Sequence, residues 1–207
     1  RLVRKKISKI KKEIDRIQNQ RENQRINRYQ NFIKNVSLVG YTNAGKSAIF
    51  NNLTSSKVIE KNQLFSTLDT TSRKLYINTH LNCIISDTVG FVNKLPPILV
   101  AAFRTTLEES INSQLLLHIS DISSPYLIQQ IIIVNKQLTE LGIGDKPKIL
   151  VLNKKDLISE NEYEPIDNNL YKKINQTGIK YEDIILSSAQ ENWGIKEIKS
   201  SIHQYFN

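Results

Sequence analysis

Methionine is absent from the 207 residues, and cysteine and tryptophan occur once each. A single cysteine, Cys83, excludes an internal disulfide framework. With only three histidines, it also leaves no cluster of metal-ligand spacing. Long apolar runs are missing as well. The longest stretches, Gln114–Ile119 and Tyr126–Val134, are interrupted by polar groups and fall short of the roughly 18–20 residues of a membrane span. Alanine is scarce, 5 residues against 30 Ile and 21 Asn, a bias that suggests an AT-rich genome and says little about mechanism. The missing Met and a start at Arg1 inside a helix-like segment lead us to expect a fragment. No secretory signal is visible. The expected compartment is reducing: a bacterial cytosol, hence cytoplasmic, or an organelle matrix. With 39% hydrophobic and 24% charged residues, the composition is that of a globular protein with one domain and a smaller attachment.

The charge is uneven. Residues 1–34 hold 12 Lys/Arg against 3 Asp/Glu, whereas residues 35–207 hold 17 of each. The whole excess of +9 therefore lies in a leading segment without Gly or Pro. There Val3, Ile7, Ile10, Ile14 and Ile17 make a heptad-like seam on one helix face. Lys5, Lys6, Lys9, Lys12 and Arg16 lie largely off it. Two readings stand: a charged helix docked by its Ile face on another domain, or a helix that also approaches nucleic-acid phosphates. A membrane-surface helix is disfavoured by the narrow apolar face, which has no aromatic residue before Tyr29.

The chemistry begins at residue 40. An apolar strand candidate, Val36–Val39, runs into Gly40, Tyr41, Thr42, Asn43, Ala44, Gly45, Lys46 and Ser47, the G-x-x-x-x-G-K-[ST] pattern, followed by a helical stretch. The glycines let successive backbone N–H groups face phosphate oxygens, and the helix N-terminus adds partial positive charge. Lys46 is the expected partner of the β/γ-phosphates, and the Ser47 hydroxyl a magnesium ligand. Asp87, Thr88, Val89 and Gly90 follow a second strand candidate. There a carboxylate can hold magnesium through water, and the Gly90 N–H can reach a γ-phosphate. Asn153, Lys154, Lys155 and Asp156 follow a third, as N-K-x-D. The Asp156 carboxylate matches the N1–H and 2-amino donors of guanine, whereas adenine would leave it mispaired. The Lys154 stem is expected over the base with its ammonium in water. Ser187, Ser188 and Ala189 offer backbone N–H groups to the guanine carbonyl. Between the first two motifs, the Ser/Thr-rich stretch 55–72 contains Thr67, Thr70 and Thr71, candidates for a second magnesium hydroxyl. The four motifs in this order predict a site for GTP or GDP.

At the level of whole stretches the chain resembles the HflX group of translation-factor-related GTPases. The resemblance rests on GYTNAGKS over residues 40–47, LFSTLD over 64–69, SDTVGF over 86–91, Lys94-Leu95-Pro96, the AFRTTLEE stretch 102–109, and Leu116-Leu117-His118. Obg- and Era-type GTPases are the nearest confusion, and the KLP and AFRTTLEE stretches argue against both. The resemblance implies that Phe65, Ser66, Thr67, Leu68 and Asp69 join the nucleotide site, with Thr67 the magnesium ligand that senses the γ-phosphate. It implies catalytic roles for Lys46, Thr67 and Gly90, magnesium at Ser47, Thr67 and Asp87, and a partner in the large ribosomal subunit and its rRNA. The basic arm and an absent N-terminal domain would make that contact, splitting or rescuing stalled or idle ribosomes. A monomer is expected. Thr70 and Ala48 depart from the family's usual Pro and Thr, and neither removes a liganding group.

Phe91 stands where many GTPases carry a Gln that orients the attacking water, which predicts slow hydrolysis alone and stimulation on the ribosome. The alternative is a guanine-nucleotide-binding assembly module with little hydrolysis. Asn43 is a candidate oxygen ligand for potassium beside the phosphates, or else bonds within its own loop. Cys83 is expected to be a small buried strand residue, Trp193 to pack near the last helix, and His118 to be a satisfied core or edge residue. Strand-like runs at 36–39, 73–78, 81–86, 115–120, 148–152 and 184–187 alternate with helical ones at 98–113, 126–141 and 195–206. The expected fold is three-layer α/β of the P-loop type over 35–207, mostly parallel with one antiparallel edge strand, preceded by a basic helix over 1–34.

Overall fold

The computed structural model describes residues 34–55, 71–79, 81–91, 109–158 and 169–207. All of these belong to one compact unit, Lys34–Asn207. The basic segment 1–33, the Ser/Thr-rich stretch 56–70, Lys94-Leu95-Pro96 and residues 102–108 lie outside the described residues, and with them Phe65, Ser66, Thr67, Leu68, Asp69 and Thr70.

Six strands form one sheet: β1 (Lys34–Gly40), β2 (Thr71–Tyr76), β3 (Asn82–Asp87), β4 (Leu115–Asp121), β5 (Lys148–Asn153) and β6 (Asp183–Leu186), in the order β2-β3-β1-β4-β5-β6. All neighbours are parallel except β2 and β3, so the antiparallel pair sits at one edge as expected. The central strands are apolar almost throughout, because helices cover both faces and leave no side for alternation. Leu115, Leu116, Leu117, His118, Ile119 and Ser120 of β4 are all buried. The edge strand β2 instead exposes Arg73, Lys74 and Tyr76.

The helices are α1 (Lys46–Thr54), α2 (Leu127–Glu140) and α3 (Ile195–Phe206), and residues 169–176 are also helical. On one sheet face Ile49, Phe50 and Leu53 of α1 and Ile198 and Ile202 of α3 pack against Val36, Leu38, Leu117 and Val151. On the other, Val134 and Leu138 of α2 pack on Val39 and Leu116, and Ile131 and Ile174 on Leu150 and Leu152. The result is the three-layer arrangement. Helix α3 matches its expected span, and the strands differ from theirs by at most two residues at an end. Of the expected helix at 98–113, residues 109–112 are described and helical. No described helix is long and apolar enough to cross a membrane.

This topology positions the site. Chain direction places the carboxyl ends of β1, β3, β4, β5 and β6 along one rim of the sheet. Strand β1 has the next parallel strand, β3, on one side and β4 on the other, so the crossovers diverge there. That switch point opens a crevice at the strand ends.

Candidate nucleotide site at the sheet rim

The loop after β1 leads straight into α1. Gly45 takes a φ of 91° at the helix N-terminus, and a Cβ there would collide with the Asn153 amide. Helix α1 starts with no side-chain cap and no acidic residue in its first turn. Its leading N–H groups and helix dipole therefore favour an anion. Lys46 is buried, and its ammonium donates to Tyr41 O at 3.1 Å and Gly40 O at 3.4 Å. Burial lowers its pKa from 10.5 to about 8, and the Asp87 carboxylate works in the opposite direction.

Strand β3 delivers Asp87 to the same place. Its Oδ2 accepts from the Ser47 hydroxyl at 2.6 Å across 40 residues of chain. Thr88 Oγ1 donates to Leu38 O at 2.6 Å and anchors the following turn on β1. Gly90 then lies against the first loop: a Cβ would stand 2.8 Å from Thr42 Cα and 2.9 Å from Lys46 Nζ. Two backbone bonds close the contact, Phe91 N to Gly40 O at 3.0 Å and Thr42 N to Phe91 O at 2.9 Å. Phe91 is buried among Val39, Leu116, Val134 and Leu138, and Val89 lies in the same cluster. Val89 thus offers a nucleotide only its backbone, and the Phe91 ring fills the core rather than the crevice.

The base-side loops meet next to this pair. Asn153 is enclosed: its Nδ2 donates to Ala44 O at 3.0 Å, and its Oδ1 accepts from Ala189 N at 3.0 Å. It ties the first, third and fourth motifs together, so its side chain holds the loops of the candidate site to one another. Asp156 is exposed, and its Oδ1 accepts from the Ser188 hydroxyl at 2.6 Å. Ser187 is fully buried and accepts from Lys155 N at 3.0 Å through its carbonyl.

One expectation needs correction. The Lys154 ammonium is not left to water but forms an ion pair with Asp121 at the end of β4, 2.7 Å away. Trp193 directly precedes Gly194, the N-cap of α3. It is 42% exposed, and the Lys155 ammonium lies 4.1 Å from its ring centroid. Three participants escaped the sequence reading. Asp121 carried a usable signal, a carboxylate at a strand tip like Asp87. Asn52, which donates to Ala189 O at 2.7 Å, carried none, and neither did the pairing of Lys155 with Trp193. His118 is buried with Nδ1 bonded to Tyr181 Oη at 2.9 Å, while its Nε2 has no partner among the described residues, so within them it is a core residue only half satisfied. Cys83 is a buried strand residue whose thiol is pushed up to about 12 by burial, which removes it as a nucleophile.

The donor set suits a hard cation held largely by phosphates. Ser47 and Asp87 offer two oxygens side by side, and no cluster of three or more His, Cys, Asp or Glu exists among the described residues. Magnesium typically takes one or two protein oxygens and completes its shell with water and phosphate.

Comparison with known proteins agrees with this geometry. Residues 35–154 match the family described as 50S ribosome-binding GTPase. A GTPase HflX from Caldanaerobacter subterraneus is 43% identical over 169 residues, 82% of this chain and 39% of that protein. A GTPase HflX from Escherichia coli is 39% identical over 199 residues, 96% of this chain and 44% of that protein. The chain thus spans less than half the length of these curated relatives. Among solved structures, a GTP-binding protein from Sulfolobus solfataricus in complex with GDP superposes with a TM-score of 0.67 at 28% identity, covering 94% of this chain and 57% of that one. A P-loop cradle zipped to the Asp87–Phe91 turn, two base-side loops at the same rim and this match over residues 35–154 have one reading: the chain belongs to the 50S ribosome-binding GTPases, on their HflX branch.

Proposed function

We propose that the chain binds GTP and hydrolyses it to GDP and phosphate, and that the protein carrying it acts on the large ribosomal subunit to split or rescue stalled or idle ribosomes from the cytoplasm. The observation that carries the reading is the meeting of Lys46, the Ser47–Asp87 pair and the Ser188–Asp156 pair on one rim, delivered by loops far apart in sequence.

Each group has a task. The N–H groups of residues 40–47 and the Lys46 ammonium hold the β- and γ-phosphates. Lys46 is buried, so its charge gains strongly from a phosphate partner. Ser47 and Asp87, with Thr67, would hold magnesium, which when bound neutralises charge on the phosphates. The Gly90 N–H would follow the γ-phosphate, and its close packing on Thr42 and Lys46 couples that sensing to the phosphate loop. Asp156, oriented by Ser188, reads the guanine edge, and Lys154 covers the base with its ammonium moored to Asp121. Asn43, exposed with φ 62° at the loop tip, adds a potassium ligand beside the phosphates, and equal rates in sodium and potassium would remove that part.

Phe91 offers no hydrogen bond to water and lies in the core, which supports slow turnover until a partner orders the site. Multiple-turnover phosphate release, with and without large ribosomal subunits, is the test. Stimulation of at least about tenfold is expected; an arginine supplied to the transition-state charge contributes about 10³–10⁵-fold in related systems. Release that stays negligible in both arms would leave the nucleotide-binding assembly module. Asp156→Asn should shift preference from guanosine to xanthosine nucleotides, read by competition binding, and an unchanged preference would show that other groups read the base.

A further inference from the structure

The loops 153–156 and 187–194 meet through hydrogen bonds and one cation–ring contact, the latter between Lys155 and Trp193. Trp193 is the only tryptophan of the chain and stands exposed on the loop 187–194. It exchanges two backbone hydrogen bonds with Ser188: Trp193 N donates to Ser188 O at 2.9 Å, and Ser188 N to Trp193 O at 3.1 Å. The turn between them runs through Asn192 at φ 54°, and Gly194, at φ 80°, lies against Leu186 O and Ser187 Cα. From the opposite loop, the Lys155 ammonium sits 4.1 Å over the indole, and Lys155 N bonds Ser187 O. Ser188 is also the residue whose hydroxyl holds Asp156 Oδ1.

We propose that Lys155 and Trp193 form a positioning pair that sets guanine specificity. The pair rests on the guanine-nucleotide reading above and acts through Ser188, with neither side chain touching the base. Asp156 is exposed, so nothing but its hydrogen bonds fixes the rotation of its carboxylate. The Ser188 hydroxyl supplies one such bond. The backbone pair to Trp193 fixes the Ser188 backbone, Glu191 N donates to Ser188 Oγ at 3.1 Å, and the cation over the indole pins Trp193 to the loop that carries Asp156. Guanine needs both carboxylate oxygens in one plane, one for N1–H and one for the 2-amino group. A carboxylate free to turn forfeits the 2-amino bond first. Hypoxanthine keeps N1–H and lacks that amino group, so it reports the same site without the second bond.

The test uses the full chain with Lys155→Ala, Trp193→Ala, the double variant, and the conservative changes Lys155→Arg and Trp193→Tyr. Dissociation of fluorescently tagged GDP and IDP is followed by stopped flow. An exposed cation–π contact corresponds to about a 2–5-fold change in an equilibrium. Each alanine change should therefore speed GDP release about 2–5-fold and IDP release less. The double variant should be no worse than the worse single change, and Arg and Tyr should restore near-native rates. In the nucleotide-free chain, Lys155→Ala should shift the emission of Trp193, whose environment it alters directly. Wild-type GDP release in both alanine variants, equal losses for GDP and IDP, or strictly additive effects would each overturn the pair. A wild-type chain that binds neither nucleotide would instead overturn the guanine reading itself, so the two failures are separable.

Discussion

Lys46 shows how one side chain is shaped by its place. Its ammonium is buried and leans on two loop carbonyls, so the charged form is held at a cost and its pKa falls to about 8. A phosphate partner would restore the charge. Above pH 8 the nucleotide-free chain has lost that proton, so binding must take one up. The expected outcome is GDP affinity that falls by up to about tenfold per pH unit above pH 8, with proton uptake visible by calorimetry in buffers of different ionisation heat. Lys46→Ala should abolish this slope and weaken binding about 10–100-fold, the worth of one or two hydrogen bonds to a charged group. In the absence of nucleotide the same group makes the fold more stable as pH rises from 8 towards 10.5, because the penalty for burying charge disappears. Lys46 itself was legible from its motif. Its burial was not, since the residues that cover it come from other parts of the chain.

At the scale of elements, the meeting of the first loop with the turn after β3 is the joint that a γ-phosphate signal would cross under the proposed function. It is built from two backbone hydrogen bonds and a glycine with no room for a methyl group. Gly90→Ala should push Thr42 and Lys46 away while leaving the sheet intact. We expect nucleotide affinity to fall by at least about tenfold, with the far-ultraviolet circular dichroism unchanged. The Cβ would meet backbone Cα at 2.8 Å, and a rigid neighbour cannot yield as a flexible side chain can. An affinity equal to wild type would show that the joint opens freely. The strands themselves were readable because buried parallel strands are continuous apolar runs bounded by turn residues. Strand β2 came out two residues early, at Thr71–Tyr76, because an exposed edge strand carries little pattern to read.

For the molecule as a whole, the acid limit of stability is set partly by a residue with no place in the nucleotide site. His118 lies between both sheet neighbours of β4, opposite Val39 and Leu150, fully buried. Burial first, then the charges of Lys148 and Lys46, lower its pKa from 6.5 to about 3. The unfolded chain takes up this proton near pH 6.5, and the folded chain resists it. Stability is therefore complete above pH 6.5 and drains away as pH falls towards 3, by roughly 4–5 kcal/mol in all. Urea unfolding across this window should show the slope, and His118→Gln should flatten it. A slope unchanged in the variant would assign acid unfolding to other groups.

Sequence alone determined the fold class and named the residues that meet at the rim. Phosphate cradles, a strand-end carboxylate and a guanine reader each use a few residues at short spacing, and their order prescribes how a parallel sheet must bring them together. Tertiary structure alone decided how those motifs hold one another. Asn153 reaches Ala44 across 109 residues, Lys154 reaches Asp121 across 33, and Lys155 meets Trp193. Side-chain partners that distant are selected by packing and burial, which leave no local trace in the order of amino acids.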